Sequence, residues 1–127
     1  PSHYPNGFIG LSNPSAHPYE VVKYSMDAAV RRAQSLDSSL RYCQGKNGTW
    51  RETGSTTARC ANGASPQSGA STTPMKLRPW LQDFDLGATY DAAMVRAQMK
   101  ATYDASLTSW MLWDPANRYT REALLPE

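Results

Sequence analysis

"MKLRPWLQDFDLGATYDAAMVRAQMKATYDASLTSWMLWD", residues 75–114, is the stretch that decides the fold. It opens with a short apolar segment at 76–84, continues with a helical pattern, and closes with a continuous apolar run at 109–114. A continuous apolar run between polar residues is typical of a strand that is buried on both faces, as in a parallel sheet. Residues 75–114 are therefore predicted to form a βαβ unit, whose crossover should be right-handed.

The middle of this unit is predicted to be an amphipathic helix within residues 87–106. Thr89 can cap its N-terminus, and Asp91 then lies in the first turn, where a negative charge is favourable. One side of the helix carries a stripe at helical spacing, formed by Val95, Met99 and Thr102.

An earlier helix is predicted to start at Pro18, after a loop-like segment at 1–17 that is rich in proline and glycine. Proline suits the first helical position, and Glu20 is favourable at the positive N-terminal end. The apolar stripe of this helix consists of Val22, Met26, Ala29, Ala33 and Leu36.

Residues 37–74 differ from the rest of the chain, because Gly, Ser and Thr dominate and core-forming residues are scarce. "RYCQGKNGTWRET", residues 41–53, predicts a small hairpin around the strong turn pair Asn47-Gly48. We interpret the whole region as an excursion from the main fold.

The two cysteines of the chain, Cys43 and Cys60, both lie in this excursion. A disulfide between them is expected, because a polar loop has little else to hold it, and two free thiols are the alternative. A zinc site is not expected, since His3 and His17 are the only histidines and neither has metal-site spacing to the cysteines. No metal and no cofactor is therefore predicted.

The bulk composition argues against two classes of partner. The 127 residues carry a formal net charge of only +2, and the 13 Lys and Arg are scattered, which speaks against nucleic acid. No apolar run approaches the length of a membrane-spanning helix. The chain opens with neither a signal peptide nor a clear starting element, so an upstream part is expected.

The predicted order of elements is loop, helix, excursion, strand, helix, strand and short helix, which is an α/β pattern. Two parallel strands cannot bury their own faces and edges. The chain is therefore expected to be part of a larger α/β sheet.

Polar residues follow both strands, at the ends where parallel α/β folds place their sites. Gln82 and Asp83 come as the first strand ends, and Asp114 comes as the second one ends. Each has a plainer alternative: Asp83 as a capping or loop-bracing carboxylate, Gln82 as a structural amide, and Asp114 as a turn residue. Trp113 is a candidate for stacking on a sugar ring, although buried core is the commoner role of such a tryptophan.

Three motifs resemble a known family: "PSHYPNGFIGLSNPSAHPYEVV" at 1–22, "RPWLQDF" at 78–84 and "WMLWDPANRYTREAL" at 110–124. They are similar to the C-terminal part of the "putative glycoside hydrolase" family, once grouped as a domain of unknown function. Its members are (β/α)8 barrels distantly similar to alpha-amylase-like enzymes. The resemblance spans the chain outside 37–74.

This resemblance implies that the chain is about the last third of a TIM (β/α)8 barrel, since a whole barrel takes ~250 residues. Residues 1–36 would be a loop and helix six, 37–74 an insertion pinned by a disulfide, and 75–127 strand seven, helix seven, strand eight and a short helix. Carried over position by position, the residues on the catalytic rim would be His3, Tyr4, Gln82, Asp83, Trp113 and Asn117.

Two functions follow from this resemblance. The first is a secreted or cell-envelope glycosidase that acts on a polysaccharide or oligosaccharide, with Asp83 first as a substrate ligand and second as a catalytic group. The second is a non-catalytic module for carbohydrate binding or envelope assembly. Either would involve the remainder of the barrel or another chain. Asp83 is expected to be partly exposed in an open cleft beside His3, Tyr4 and Trp113.

Overall fold

The computed structural model describes residues 7–39, 41–44, 50–52, 60, 67–68 and 76–124. The helices are α1 (Pro18–Ser39) and α2 (Ala92–Asp104), and the strands are β1 (Arg41–Gln44), β2 (Trp50–Glu52), β3 (Gln67–Ser68), β4 (Trp80–Gln82) and β5 (Met111–Trp113). The chain divides into two compact units: one holds the described residues up to Ala28 and from Leu77 onward, and the other holds those from Ala29 to Lys76. This mixture of helices and strands fits the predicted α/β class.

The predicted βαβ unit is confirmed, because β4 and β5 pair in parallel and α2 connects them. Both strands are shorter than the sequence pattern predicted. The ladder starts at Pro79, whose carbonyl accepts from the Met111 amide at 2.9 Å but which has no N–H to extend the pairing. It ends where the Asp83 amide donates to the Trp113 carbonyl at 3.0 Å. The right-handed crossover stays a prediction.

The two faces of this sheet differ in how they are covered. Successive side chains of a strand point to opposite faces. Leu81 is 1% exposed and lies in the core with α2, and Leu112 packs against the same core. On the other face Trp80 is 64% exposed and Trp113 is 46% exposed. The prediction that the second strand is buried on both faces is therefore wrong for β5.

The stripe predicted for α2 is buried as expected, with Val95, Met99 and Thr102 each at most 7% exposed. The predicted cap is wrong, because Asp91 and not Thr89 is the N-cap residue. The Asp91 carboxylate accepts from the Met94 amide at 2.9 Å, and so satisfies a backbone donor that the first turn leaves open. The core around this stripe comprises Val22, Leu81, Tyr90, Val95, Met99, Ala101 and Ala123.

Helix α1 begins at Pro18, as predicted, and extends to Ser39, beyond its predicted end. Within the first unit, Val22 of its stripe is buried. Immediately before the helix, a 3-10 turn at Pro14–Ala16 is held by Tyr90, whose hydroxyl donates to the Ser15 carbonyl at 3.0 Å. Burial raises the pKa of the Tyr90 phenol, so the hydroxyl remains a donor in this contact.

In the second unit β1 and β2 form the predicted antiparallel hairpin, with Cys43 opposite Arg51. The turn at 45–49 lies outside the described residues. Strand β3 also pairs with β1, in the order β2-β1-β3, and the sequence did not predict it. Cys60 is buried and is not a free thiol. The side chain of Cys43 lies outside the description, so the Cys43–Cys60 pairing stays a prediction.

Candidate functional site

The carboxyl ends of β4 and β5 meet at one edge of the sheet, which we call the rim (Gln82, Asp83, Trp113 and Asp114). Gln82 lies opposite Trp113 in the register, and the Asp83 amide donates to the Trp113 carbonyl. The parallel pairing thus brings together the polar residues that the sequence placed after the two strands.

Asp83 is only 3% exposed, so the expectation of a partly exposed carboxylate is wrong. Its Oδ2 accepts from the Thr120 amide at 2.8 Å, because the segment after β5 returns to the end of β4. Its Oδ1 is buried and has no hydrogen-bond partner among the described residues. A buried carboxylate oxygen without a donor is costly, and such an atom calls for an explanation.

Gln82 is 5% exposed, and its side chain is engaged locally. The Nε2 atom donates to the Phe84 carbonyl at 2.9 Å and so braces the loop that follows β4. The backbone of Gln82 is held by a residue that the sequence analysis did not single out. The Gln98 Oε1 accepts from the Gln82 amide at 2.9 Å, and the Gln98 Nε2 donates to the Gln82 carbonyl at 2.7 Å. These contacts favour the structural alternative for Gln82.

Asp114 is 8% exposed and organises the turn after β5. Its Oδ1 accepts from the Ala116 amide at 2.5 Å and from the Arg118 amide at 3.3 Å. Asn117 in the same turn has φ +55°, a left-handed conformation that asparagine tolerates well. The geometry favours the turn role for Asp114. The left-handed backbone of Asn117 explains why an asparagine occupies that position.

Trp113 is the rim residue with the most accessible side chain, at 46% exposure. The Phe84 ring contacts it edge to face, with ring centroids 5.1 Å apart and an interplanar angle of 86°. This contact fixes the indole and leaves part of it open to solvent. An exposed, fixed aromatic ring can stack on the apolar C–H face of a sugar.

Other predicted site residues lie outside the description. His3 and Tyr4 belong to residues 1–6, so their place at the rim stays a prediction. Within the described ranges, no group of three or more His, Cys, Asp or Glu could hold a metal ion. In the same part of the chain, neither helix is long and apolar enough to cross a membrane.

Sequence reasoning missed Gln98, Thr120 and Phe84. Gln98 carried a usable signal: it falls between Val95, Met99 and Thr102 on the buried stripe and is 0% exposed. A polar residue on an apolar stripe needs a partner. Thr120 carried no such signal, because only its backbone amide reaches Asp83.

Residues 52–119 match the family described as "Putative glycosyl hydrolase domain". The match covers more than half of the chain, so the chain belongs to this family, and the resemblance to a glycoside hydrolase family is confirmed. The matched range contains β4, α2, β5 and the rim. It also includes residues 52–74, which the resemblance read from the motifs had left outside. Neither the curated proteins nor the solved structures gave a match.

Proposed function

We propose that the chain is the C-terminal segment of a TIM-barrel glycoside hydrolase, with β4 and β5 as the seventh and eighth strands. The family match supports the hydrolase class, and the parallel βαβ unit is the repeating element of such a barrel. The exposed Trp80 near the start of β4 supports it further, because the remaining strands of a barrel would pack against that side chain, whereas Trp113 lies at the rim, where β5 ends. Its partners are then the remainder of the barrel, or another protein chain, and a carbohydrate.

The observation that carries the carbohydrate proposal is the exposed indole of Trp113 beside the buried carboxylate of Asp83. An aromatic face and a carboxylate acceptor are the two groups that together recognise a sugar, one through its C–H face and one through its hydroxyls. The Asp83 Oδ1 lacks a donor among the described residues, and a sugar hydroxyl would supply one once the rim opens around this buried atom.

A non-catalytic carbohydrate-binding or envelope-assembly role remains the second candidate. Glycoside hydrolysis normally needs two carboxylates that flank the bond. At the described rim, Asp114 Oδ1 accepts from two backbone amides, and the Asp83 Oδ1 is buried without a donor, so neither carboxylate stands open as a second catalytic group. A hydrolase would therefore need its other carboxylate from outside the described rim.

Trp113→Ala in the full-length protein tests the carbohydrate site. We expect the Kd for a soluble oligosaccharide to rise about five- to tenfold, because the stacking surface is lost, while Trp113→Phe keeps most of the affinity. Titration calorimetry or affinity electrophoresis against a panel of oligosaccharides measures the change. Tyr103→Ala is the matched control, since Tyr103 is a similarly exposed aromatic residue, at 52%, on α2 and not among the rim residues. Equal binding by all variants of an active protein would contradict the proposal.

We further propose that Cys60 pairs with Cys43 and that the protein works outside the cytoplasm, at the cell envelope or beyond it. Disulfides persist in oxidising compartments, which links the two statements. The burial of Cys60 and its lack of a free thiol support the pairing. Thiol titration of the denatured, unreduced protein is expected to find no free thiol, whereas two free thiols per chain would contradict both statements.

A further inference from the structure

The two edges of β4 are used differently. In a parallel pair, alternate residues direct their backbone groups to the neighbouring strand. Leu81 faces β5, because the bonds on either side of it join Pro79 to Met111 and Asp83 to Trp113. Trp80 and Gln82 therefore present their N–H and C=O groups to the opposite edge, where a further strand of a sheet would pair.

At Gln82 this opposite edge is already occupied. The side-chain amide of Gln98 accepts from the Gln82 N–H and donates to the Gln82 C=O, at 2.9 and 2.7 Å. These are the two hydrogen bonds that a neighbouring strand would otherwise make. Gln98 is 0% exposed, and the Thr102 hydroxyl donates to its carbonyl at 3.0 Å, so α2 holds the amide in place.

We propose that Gln98 is a positioning residue that stands in for a neighbouring strand and closes the edge of β4 at Gln82. A strand that joins this edge then pairs with Trp80 and stops there. No added strand then reaches the rim beside Asp83, and the Gln82 backbone that precedes Asp83 is fixed from α2. The benefit to carbohydrate binding rests on the proposed function, whereas the closure of the edge does not.

Amide hydrogen exchange in the full-length protein, followed residue by residue by NMR, tests the closure. Gln98→Met keeps the length and packing of the side chain but removes both hydrogen bonds. We expect the Gln82 amide to exchange at least about tenfold faster, because it loses its acceptor, while the Asp83 amide, bonded to Trp113, changes less than about threefold. Unchanged exchange at Gln82 would overturn the proposal, since another group would then protect that amide.

Gln98→Glu supplies a second test. Its readout is the pH dependence of amide protection at Gln82, which a change in side-chain volume alone would not alter. A protonated carboxyl group can donate to the Gln82 C=O, but a carboxylate cannot, and its second oxygen then faces that carbonyl. Burial and the facing carbonyl raise the pKa of the introduced carboxyl, so the protonated form is favoured in the fold. Protection of Gln82 should therefore be close to wild type at acid pH and fall as the pH rises through that pKa. Protection that does not depend on pH would overturn the proposal, even if Gln98→Met fails to fold.

Carbohydrate binding by the same variants distinguishes the closure of the β4 edge from its proposed role at the rim. Faster exchange at Gln82 together with weaker oligosaccharide binding supports both the closure and its role at the rim. Faster exchange with unchanged binding overturns the positioning role and leaves the closed edge standing. If the wild-type protein binds no oligosaccharide, the proposed function fails, and the exchange data still decide the closure.

Discussion

Asp83→Asn in the full-length protein is expected to weaken oligosaccharide binding at least tenfold without lowering the thermal stability. Asparagine keeps the shape of the side chain and an oxygen to accept from the Thr120 amide. The substitution removes a buried carboxylate oxygen, Oδ1, that has no donor, and so relieves a cost of about 1–3 kcal/mol. This gain offsets the cost of burying the amide N–H groups that asparagine introduces. The loss of a charge-assisted bond to a sugar hydroxyl is what lowers the affinity.

Two further substitutions make this result interpretable. Asp114→Asn is the matched control at the same rim, because the Asp114 oxygen serves a turn that asparagine can also form, so binding should change little. Asp83→Ala strands the Thr120 amide and should lower the free energy of unfolding by about 1–3 kcal/mol. If Asp83→Asn instead lowers the melting temperature and leaves binding unchanged, Asp83 is a structural brace and the site assignment fails.

Gly87→Ala is expected to lower the free energy of unfolding by about 2–5 kcal/mol. Gly87 has φ +76°, and an added Cβ would lie 2.7 Å from the Ser15 Oγ and 2.9 Å from the Ser15 Cβ. The left-handed backbone costs roughly 1–2 kcal/mol for alanine, and overpacking costs roughly 1–3 kcal/mol. Ser15 cannot yield freely, since its carbonyl is bonded to Tyr90.

Gly10→Ala is the control that separates these two costs. Gly10 has φ +82°, but nothing lies within 4 Å of the position of its Cβ. Chemical denaturation should therefore give a loss of only about 1–2 kcal/mol for Gly10→Ala, from the backbone alone. Equal losses in the two variants would mean that Ser15 moves aside at little cost.

The order of the main elements could be predicted from the sequence, because it depends on local patterns. An apolar run, a stripe at helical spacing and a second apolar run were enough to predict two parallel strands around α2. The ends of the elements could not be placed as well. Pro79 removes a single N–H and so shortens β4, and Asp91 supersedes Thr89 as the cap because its carboxylate reaches the Met94 amide.

The candidate site was predicted in part. Parallel pairing alone places Gln82, Asp83, Trp113 and Asp114 at one rim, and it required no long-range knowledge. The burial of Asp83 depends instead on the backbone amide of Thr120, 37 residues further along the chain. Any residue except proline could supply that amide, so the sequence carried no sign of the contact. Strand β3 was missed for a similar reason, since Gln67–Ser68 pairs through its backbone and shows no apolar pattern.

The hydrogen bond between Thr120 and Asp83 can form only late in the synthesis of the chain, because Thr120 follows Asp83 by 37 residues. A ribosome makes the chain from its N-terminus, so Asp83 is exposed to water well before Thr120 is available to bond with it. For most of that interval β4 also lacks β5, since Met111–Trp113 is made only shortly before Thr120, and the carboxylate remains hydrated at little cost. The rim therefore forms among the last parts of this unit. A nascent chain stalled before Thr120 would hold all four rim residues without the contact that encloses Asp83.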